Sequence, residues 1–374
     1  MIIQGGKLFQ ADGTFCEGDL AIRDGLIAAD ATPVADEQVI DARGLTVIPG
    51  LTDIHFHGCM GTDFCAGSPE GLQRMADYEL SQGVTQICPA SMTVSEEELA
   101  AAFATAAAHT SERGAELVGI NMEGPFINKE KKGAQNPAHI HVPDAAMFRR
   151  LQEAAGGLVK LVDIAPETEG ALEFIRELAG EVRISLAHTT ASYDEARAAF
   201  DAGARHVTHL WNAMPPFTHR APGVVGAAAE DSRVMAELIC DGIHIHASAV
   251  RATFAMFGDD RICFISDSME ATGLEDGKYG LGGLEVFVKG RRATLADGTI
   301  AGSATNLMGC LRCAVTEMGI PLGSAVKCAT VNPARAIGTF GEYGSLDAGK
   351  AGNVVLLDGD LQVVHVIRRG EVVA

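Results

Sequence analysis

The sequence lacks any long hydrophobic run and any excess of positive charge. Its apolar stretches are interrupted by Gly, Asp, Glu or His before they reach the roughly 18 residues of a membrane-spanning segment. The first residues, MIIQGGKLFQADG, contain no basic region followed by an apolar core, so we expect no secretory signal. The net charge of −20 disfavours nucleic acid and anionic membranes as partners. Any phosphate site must therefore be a local cluster of donors that works against the global field.

The nine cysteines also lack the pattern of a disulfide framework, because their number is odd and they are scattered along the chain. Reduced thiols in a cytoplasmic protein are the expected state. The one close pair, Cys310 and Cys313, lies in a segment with helical spacing, where a lone CxxC is weak evidence for metal or redox chemistry. We expect these thiols to be buried and structural.

Both ends of the chain have the texture of short strands separated by turns. KLFQADGTF and LAIRDGLIAA each place an Asp-Gly turn between apolar runs, and NVVLLDGDLQVVHVIRRGEVVA repeats the pattern near the end of the sequence. Neither end has enough apolar residues for a sheet of its own. We therefore predict that residues 1–49 and 344–374 form one small β-sandwich domain.

Between residues 50 and 343, buried runs alternate with segments of helical spacing such as PEGLQRMADYELSQ, SEEELAAAFATAAAHT and SYDEARAAFDAG. The eight runs are LTVIPGLTDIHFH, VTQICPAS, LVGINMEGPF, LVKLVDIAPE, RISLAHTT, HVTHLWNAM, MAELICDGIH and ICFISDS. This rhythm predicts an α/β protein with a (β/α)8 TIM-like barrel as its catalytic domain. The following segment, GLEDGKYGLGGLEVFVKGRRATLADGTIAGS, is typical of a β-hairpin excursion, and two more helices are predicted around SATNLMGCLRCAVTEMG and LGSAVKCATVNPARAIG.

Polar residues of metal-binding or acid-base type follow these runs with unusual regularity. They are Asp53, His55, His57, Glu123, His188, His209, His244 and Asp267. A single histidine at a strand end is more often a hydrogen-bonded structural residue. Because the strand ends of a barrel converge, however, so many buried ionisable groups would be costly unless a divalent cation compensates them. The pattern therefore predicts a metal site at the carboxyl end of the barrel.

Glu123, His188 and His209 supply three ligands, which is the open arrangement of a catalytic metal site. Nitrogen and carboxylate ligands without clustered thiolates suit zinc, iron(II), manganese or cobalt. His55 and His57 have the alternate spacing that places both side chains on one face of a strand, so they either hold a second metal or contact the substrate. Asp267 can act as general base and acid, as a metal ligand, or as both.

Several segments together resemble a known family. PGLTDIHFHG is similar to the first-strand signature of the amidohydrolase superfamily, although an HxH motif alone is not specific. The segments MEGPFINKEKKGAQNPAHI, LAHTTASYDEA, VTHLWNAMPPFTHRAPGVVGA, ELICDGIHIH, ISDSMEATGLEDGKYGLGG, TIAGSATNLMG, ATVNPARAIG and GSLDAGKAGNVVLLD resemble the N-acetylglucosamine-6-phosphate deacetylases of that superfamily. The resemblance runs along the whole chain, and HLWNAM followed by HRAPG is its most specific part.

The resemblance implies hydrolysis of N-acetylglucosamine 6-phosphate to glucosamine 6-phosphate and acetate, with one or two divalent metals per subunit, zinc first among them. By the same resemblance, Glu123, His188 and His209 are metal ligands and Asp267 is the general base and acid. His244 contacts the substrate and polarises the acetyl carbonyl or orients a sugar hydroxyl. The 6-phosphate is held by Asn212, Ala213 and Arg220, and this arginine reaches into the neighbouring active site of a homodimer.

Two departures from the family pattern leave alternatives open. Gln135 stands where some members have a substrate-binding histidine, and His139 and His141 lie close by. Some members use a single metal and lack the HxH that this sequence keeps, so the number of metals is open. Rival interpretations are an N-acetylgalactosamine-6-phosphate deacetylase, a cyclic-amide hydrolase of the dihydroorotase or hydantoinase type, and a non-catalytic sugar-phosphate-binding relative.

Overall fold

A computed structural model describes all 374 residues of the chain. The strands are β1 (Ile2–Phe9), β2 (Phe15–Arg23), β3 (Leu26–Ile27), β4 (Val39–Asp41), β5 (Thr46–Pro49), β6 (Leu51–Asp53), β7 (Gly58–Cys59), β8 (Thr62–Asp63), β9 (Val84–Ile87), β10 (Glu116–Leu117), β11 (Ile120–Met122), β12 (Val159–Ile164), β13 (Arg183–Leu186), β14 (His206–Val207), β15 (Met235–Ile239), β16 (Ile262–Ile265), β17 (Gly277–Leu281), β18 (Leu284–Lys289), β19 (Arg292–Thr294), β20 (Val354–Leu357), β21 (Val363–Arg368) and β22 (Glu371–Val372). The α-helices are α1 (Pro69–Ser81), α2 (Glu96–Ala108), α3 (Ala145–Ala154), α4 (Ala171–Leu178), α5 (Tyr193–Ala202), α6 (Gly223–Glu230), α7 (Ala247–Phe257), α8 (Leu307–Thr316), α9 (Leu322–Ala329) and α10 (Val331–Ala336). No helix combines the length and the apolar composition needed to cross a membrane.

The predicted (β/α)8 barrel is confirmed, and all eight runs contribute a strand to it. β6, β9 and β10 pair in parallel, and β11 to β16 form a parallel sheet in chain order. β10 and β11 are two segments of one barrel strand, and a bridge between Ala90 and Asn121 joins the two sheets. The ring closes between its first and last strands, where the Asp267 amide donates to the His55 carbonyl over 2.9 Å and the His57 amide donates to the Ser268 carbonyl over 2.7 Å.

The helices around the barrel begin where the sequence supplies capping residues. Ser95 and Ser192 each form a reciprocal capping box with a glutamate three residues later, at the start of α2 and α5. Ser68 caps α1, which has proline at its first position. The helices pack on the barrel through one core cluster of 72 buried residues. These caps explain why the three helices predicted after β8, β9 and β13 begin close to the expected residues.

The N-terminal and C-terminal strands pair in a separate sheet of order β22-β21-β20-β5-β1-β2-β3, with β4 also paired to β1. A bulge between Ile3 and Gly6 lets β1 share one edge between β4 and β5, and Gly5 takes the positive φ of 67° that the bulge requires. This sheet has its own cluster of 11 buried residues. The division of the chain into residues 1–49 plus 344–374 and residues 50–343 stays a prediction.

The excursion after β16 is a three-stranded antiparallel sheet, β17 to β19, so it contains one strand more than the predicted hairpin.

The segment from 322 to 338, predicted as one helix, is instead divided into α9 and α10. The break is at Thr330, whose φ of −133° and ψ of −70° lie outside the helical region. Pro333 contributes to the break, because proline has no amide hydrogen to donate to the preceding turn. Ala336 and Ile337 then enter a cluster with barrel residues such as Ile54 and Leu161, which fills the barrel interior.

Candidate active site and metal centre

The polar strand ends predicted from the sequence meet at one mouth of the barrel. They line a cavity of about 380 Å³ to which His57, Glu123, His188, His209, His244 and Asp267 all contribute. Five of these residues are buried, and His244 is half-buried as a residue although its side chain is only 6% exposed. The parallel arrangement of the strands causes this convergence, because the carboxyl ends of all eight lie at the same end of the barrel.

Glu123, His188 and His209 form the tightest cluster. Glu123 Oε1 lies 3.0 Å from the Nε2 atoms of both histidines, and these two nitrogens lie 3.2 Å apart. His188 Nδ1 lies 2.7 Å from the Lys131 carbonyl oxygen, which can only accept a hydrogen bond. In the neutral ring, the hydrogen is therefore on Nδ1, and Nε2 directs a lone pair at a carboxylate oxygen. Such lone pairs face one another stably only if a cation or a proton lies between them.

His55, His57 and Asp267 form a second cluster beside the first. Asp267 Oδ1 lies 3.2 Å from His57 Nε2 and 3.9 Å from His55 Nε2. Glu123 bridges the two clusters, since its Oε2 lies 3.4 Å from His57 Nε2 and its Oε1 lies 3.6 Å from His55 Nε2. His55 Nε2 is fully buried and has no hydrogen-bond partner. This orphaned nitrogen is directed at carboxylates and is the kind of atom that a cation satisfies.

The donor set fits a divalent cation in either cluster. The ligand atoms of Glu123, His188 and His209 all lie within 4.8 Å of one another, and so do those of His55, His57 and Asp267. Imidazole and carboxylate donors without thiolates match zinc, iron, manganese or cobalt. The three residues of the first cluster leave room for a further ligand, which is the arrangement of a catalytic metal site.

Burial and neighbouring charges set the protonation of the two acids. Burial raises the pKa of Glu123, but the facing His188 and His55 outweigh this effect and hold it well below its usual value. Burial likewise raises the pKa of Asp267, while the hydrogen bond with His57 and the charge of His55 bring it below its ordinary value. Both carboxyl groups are therefore ionised at neutral pH, as a metal ligand and a proton acceptor must be.

The backbone is strained where these side chains are presented. His188, His209 and Asp267 have φ values of 43°, 28° and 50°, in the left-handed region that residues other than glycine rarely adopt. Ala213 shares this conformation, with a φ of 53°. Such strain concentrates at functional sites, where the surrounding structure enforces it.

The predicted substrate-contacting residues differ in where the structure places them. Gln135, Asn212, Ala213 and His244 line the cavity. Gln135 donates from Nε2 to Glu123 Oε2 over 2.5 Å and accepts from the Thr93 amide over 2.6 Å, so it lies directly against the cluster that Glu123 forms with the two histidines. His244 Nδ1 lies 2.8 Å from Asp241 Oδ2. Burial lowers the pKa of His244, but the bond to Asp241 outweighs this effect and raises it above its usual value.

The predicted Arg220, and the two histidines whose role the sequence left open, lie outside the cavity wall. Arg220 is on an exposed loop, where its Nη1 lies 2.6 Å from Nε2 of the adjacent His219. His139 is half-buried and His141 is exposed, and neither lines the cavity. Within one chain, the cavity is therefore complete around the metal cluster but has no contact with this arginine.

Sequence reasoning missed several residues that shape the site. Lys131 is the only lysine or arginine that lines the cavity, and its Nζ lies 3.4 Å from the carbonyl oxygen of Met214, next to Ala213. Glu237, within β15, binds His55 Nδ1 over 2.9 Å and His206 Nε2 over 3.2 Å. Asp163, within β12, is buried without a hydrogen-bond partner, close to His55 and Glu123. The sequence signal that could have revealed Glu237 and Asp163 is an acidic residue inside an otherwise apolar strand.

The loop that carries His188 is held by Glu167, the residue at which the fourth run ends. Glu167 accepts hydrogen bonds from the Thr190 amide over 2.6 Å and from the Asn128 side chain over 2.8 Å. The hydroxyl groups of Thr189 and Thr190 also donate to its carboxylate. The loop between β13 and α5 therefore has a fixed path.

Comparison with known proteins gives a consistent result. The model of the amidohydrolase family matches residues 46–373. N-acetylglucosamine-6-phosphate deacetylase of Bacillus subtilis is 36% identical over 95% of this chain and 92% of its own length. N-acetylgalactosamine-6-phosphate deacetylase of Escherichia coli O157:H7 is 34% identical over 99% of this chain and 98% of its own. The crystal structure of N-acetyl-D-glucosamine-6-phosphate deacetylase from Mycobacterium smegmatis superposes on this chain with a TM-score of 0.92. The superposition covers 100% of both chains, whose sequences are 35% identical.

Proposed function

Since the chain belongs to the amidohydrolase family, we propose that it hydrolyses the acetamide of N-acetylglucosamine 6-phosphate to glucosamine 6-phosphate and acetate. The observation that carries the proposal is the convergence of Glu123, His188 and His209 on one point, beside Asp267, in a cavity at the barrel mouth. Relatives at similar identity along their whole length, from Bacillus subtilis to mammals, are deacetylases of this kind.

Glu123, His188 and His209 would hold the catalytic divalent cation, and His55, His57 and Asp267 would hold a second one. A cation bound there supplies Lewis-acid activation of the attacking water and of the amide carbonyl. Zinc suits these ligands best, because it accepts nitrogen and carboxylate donors in an open tetrahedral site. The identity of the metal is part of this proposal.

The chain's own residues move the protons. Asp267, ionised and facing the cavity, accepts a proton from the attacking water. It then returns that proton to the sugar nitrogen as the C–N bond breaks. His244, oriented through its Nδ1 by Asp241, presents its other nitrogen to the acetyl oxygen and stabilises the negative charge that develops there.

The phosphate is recognised by Asn212, Ala213 and Lys131 of one subunit and by Arg220 of its partner in a homodimer. Lys131 supports this assignment, since its ammonium group lies beside the Asn212–Ala213 loop in a cavity whose other ionisable lining residues are acids and histidines. Arg220 is exposed and does not line its own cavity, which leaves it free to reach a neighbouring subunit. Its guanidinium fork matches phosphate oxygens. Gln135, bound to Glu123, contacts the substrate near the metal.

We further propose that residues 50–343 form the catalytic domain and that residues 1–49 and 344–374 form one supporting domain in a cytoplasmic enzyme. The sheet that joins β1 and β5 to β20 and β21 supports this division. The nine free thiols support a reducing compartment.

Hydrolysis of N-acetylgalactosamine 6-phosphate is the second candidate, because a relative of that name is 34% identical over nearly the whole chain. The two sugars differ only at the C4 hydroxyl. The test is acetate release from both N-acetylated sugars, and ring opening of a hydantoin, by metal-loaded and chelator-treated enzyme. We expect the glucosamine epimer to have the higher kcat/KM and all activity to disappear on metal removal. A higher kcat/KM for the galactosamine epimer would reverse the assignment, and full activity without metal would refute the mechanism.

A further inference from the structure

A second cavity lies at the opposite end of the barrel from the metal centre. It has a volume of about 370 Å³ and is formed where strands begin, at Val159 of β12 and Arg183 of β13, beside Ile337 after α10. Because the strands are parallel, their amino ends share this face, and none of the groups of the metal centre reaches it.

This cavity is lined by four cations, Lys160, Arg183, Arg205 and Arg335, and by one acid, Glu181. The four have no carboxylate partner within 4 Å, whereas nine of the other seventeen arginines, among them Arg149, Arg233 and Arg291, have one. Glu181 pairs outward with Arg149 over 2.9 Å, so its charge is already compensated. In a chain with 49 acidic and 29 basic residues, a cavity walled by unpaired cations is unexpected.

A purely structural role accounts for only part of this arrangement. Arg205 donates to the carbonyl oxygens of Phe200 and Ala204 at the end of α5, and Arg183 donates to that of Arg205. These bonds satisfy donor groups and helix-end carbonyls, but they leave the full positive charges in place. Burial and the nearby Arg205 lower the pKa of Arg183, which means that its charge lies in an unfavourable environment.

Lys160 and Arg335 have even less to hold them. Neither donates a side-chain hydrogen bond to the protein, and Arg335 only stacks over the Phe340 ring at 4.6 Å. Both therefore have donor groups free at the cavity. A multiply charged anion would satisfy these donors and offset the repulsion among the four cations.

We propose that this cavity is a binding site for a phosphate-bearing small molecule or for inorganic phosphate. Phosphate matches the planar donor fork of arginine, and it carries more charge and more acceptor oxygens than a single carboxylate. The volume accommodates more than the phosphate group itself, so a phosphorylated metabolite fits as well as the free ion. The site is independent of the chemistry at the barrel mouth, and so the proposal does not rest on the proposed function.

The test is titration of the metal-loaded enzyme with inorganic phosphate by isothermal calorimetry. The variant Lys160→Gln/Arg335→Gln removes the half-buried Lys160 and the exposed Arg335 from the cavity, and Lys289→Gln/Arg292→Gln is its control. The control removes the same charge from two exposed, unpaired cations of β18 and β19 that line neither cavity. We expect the wild type and the control to show the same binding, and the cavity variant to lose one site or to weaken it at least tenfold.

Equal stoichiometry and affinity in the cavity and control variants would overturn the proposal. The proposal would also be overturned if the wild type binds phosphate only at the barrel mouth. In that case, all phosphate binding would be lost when glucosamine 6-phosphate fills that mouth. If the double variant does not fold, Lys160→Gln alone is compared with Lys289→Gln, and the same tenfold criterion applies. A crystal soaked with a phosphorylated sugar then distinguishes a bound metabolite from free phosphate.

Discussion

Asp267 combines three features that rarely coincide in one side chain. It is buried, it is ionised at neutral pH, and it lies 3.2 Å from a histidine nitrogen that is itself a candidate ligand. Its φ of 50° fixes the carboxylate against the mouth of the barrel. The residue can therefore exchange protons with a water held at the Glu123 cluster without any large movement.

The first prediction concerns Asp267→Asn. The amide cannot accept the proton of the attacking water, so we expect kcat to fall by about 10²- to 10⁴-fold. Metal content at Glu123, His188 and His209 should persist, since none of these ligands is altered. The measurement is acetate release together with elemental analysis of the purified variant. Full turnover would exclude the acid-base role, and loss of all metal would make Asp267 an essential ligand instead.

At the scale of elements, the loop from β13 to α5 presents a metal ligand, and its shape depends on the neighbouring strand. His188 begins this loop, Glu167, three residues after β12, binds the loop at Thr189 and Thr190, and the Ser192 capping box starts α5. The position of His188 is thus determined by two strands and one helix, which limits the orientations available to its ring.

The second prediction is that Glu167→Ala weakens metal binding although Glu167 touches no metal. Loss of its hydrogen bonds frees the loop, and we expect metal affinity to fall by roughly 10- to 100-fold, the usual effect of losing a group that orients a ligand. The measurement is a competition titration with a chromophoric chelator. Glu169→Ala, an exposed neighbour, is the control and should match wild type. Equal affinity in both variants would refute the positioning role.

The elements also show which parts of the site a sequence can reveal. Glu123, His188 and His209 could be located because each follows an apolar run and precedes a turn, and parallel strands bring such positions together. Lys131 could not, because its place beside Met214 depends on the path of a long loop after β11. Glu237 and Asp163 lie inside strands, where only the inward direction of the side chain distinguishes a buried polar group from an exposed one.

The fold itself was largely predictable, for a related reason. Strong alternation of buried strands and capped helices predicts the barrel, and Asp24-Gly25, with φ values of 51° and 75°, forms the expected tight turn between β2 and β3. The division of the last helical segment at Thr330 was missed. Pro333 marks the region of the break, but the position of the break also depends on packing of Ala336 and Ile337 against the barrel interior, which local composition does not encode.

At the scale of the whole molecule, the terminal sheet is joined to the barrel by a buried polar cluster. Glu116 of β10 accepts hydrogen bonds from Arg369 over 2.7 Å, from Asn353 over 2.9 Å and from the Tyr343 hydroxyl over 2.8 Å. Burial raises the pKa of Glu116, but these donors outweigh the effect and hold it below its usual value. The ionised carboxylate therefore stabilises the contact between the two parts of the chain.

The last prediction follows from that pKa. Glu116→Gln removes the charge while keeping the shape, and we expect a loss of about 1–3 kcal/mol of unfolding free energy at pH 7. The lower part of that range is favoured, because Arg369 is 37% exposed and solvent screens its charge. A carboxyl whose pKa is lower in the folded state stabilises the protein above its unfolded pKa of about 4.3, and this contribution disappears as the pH falls through the folded value. Thermal unfolding of the wild type should therefore approach that of the variant as the pH is lowered from about 5.

Glu177→Gln, which removes an exposed partner of Arg149, is the control and should change stability by less than about 0.5 kcal/mol at any pH. A difference between wild type and Glu116→Gln that stays constant down to the acid limit would show that the carboxylate charge does not hold the two parts together.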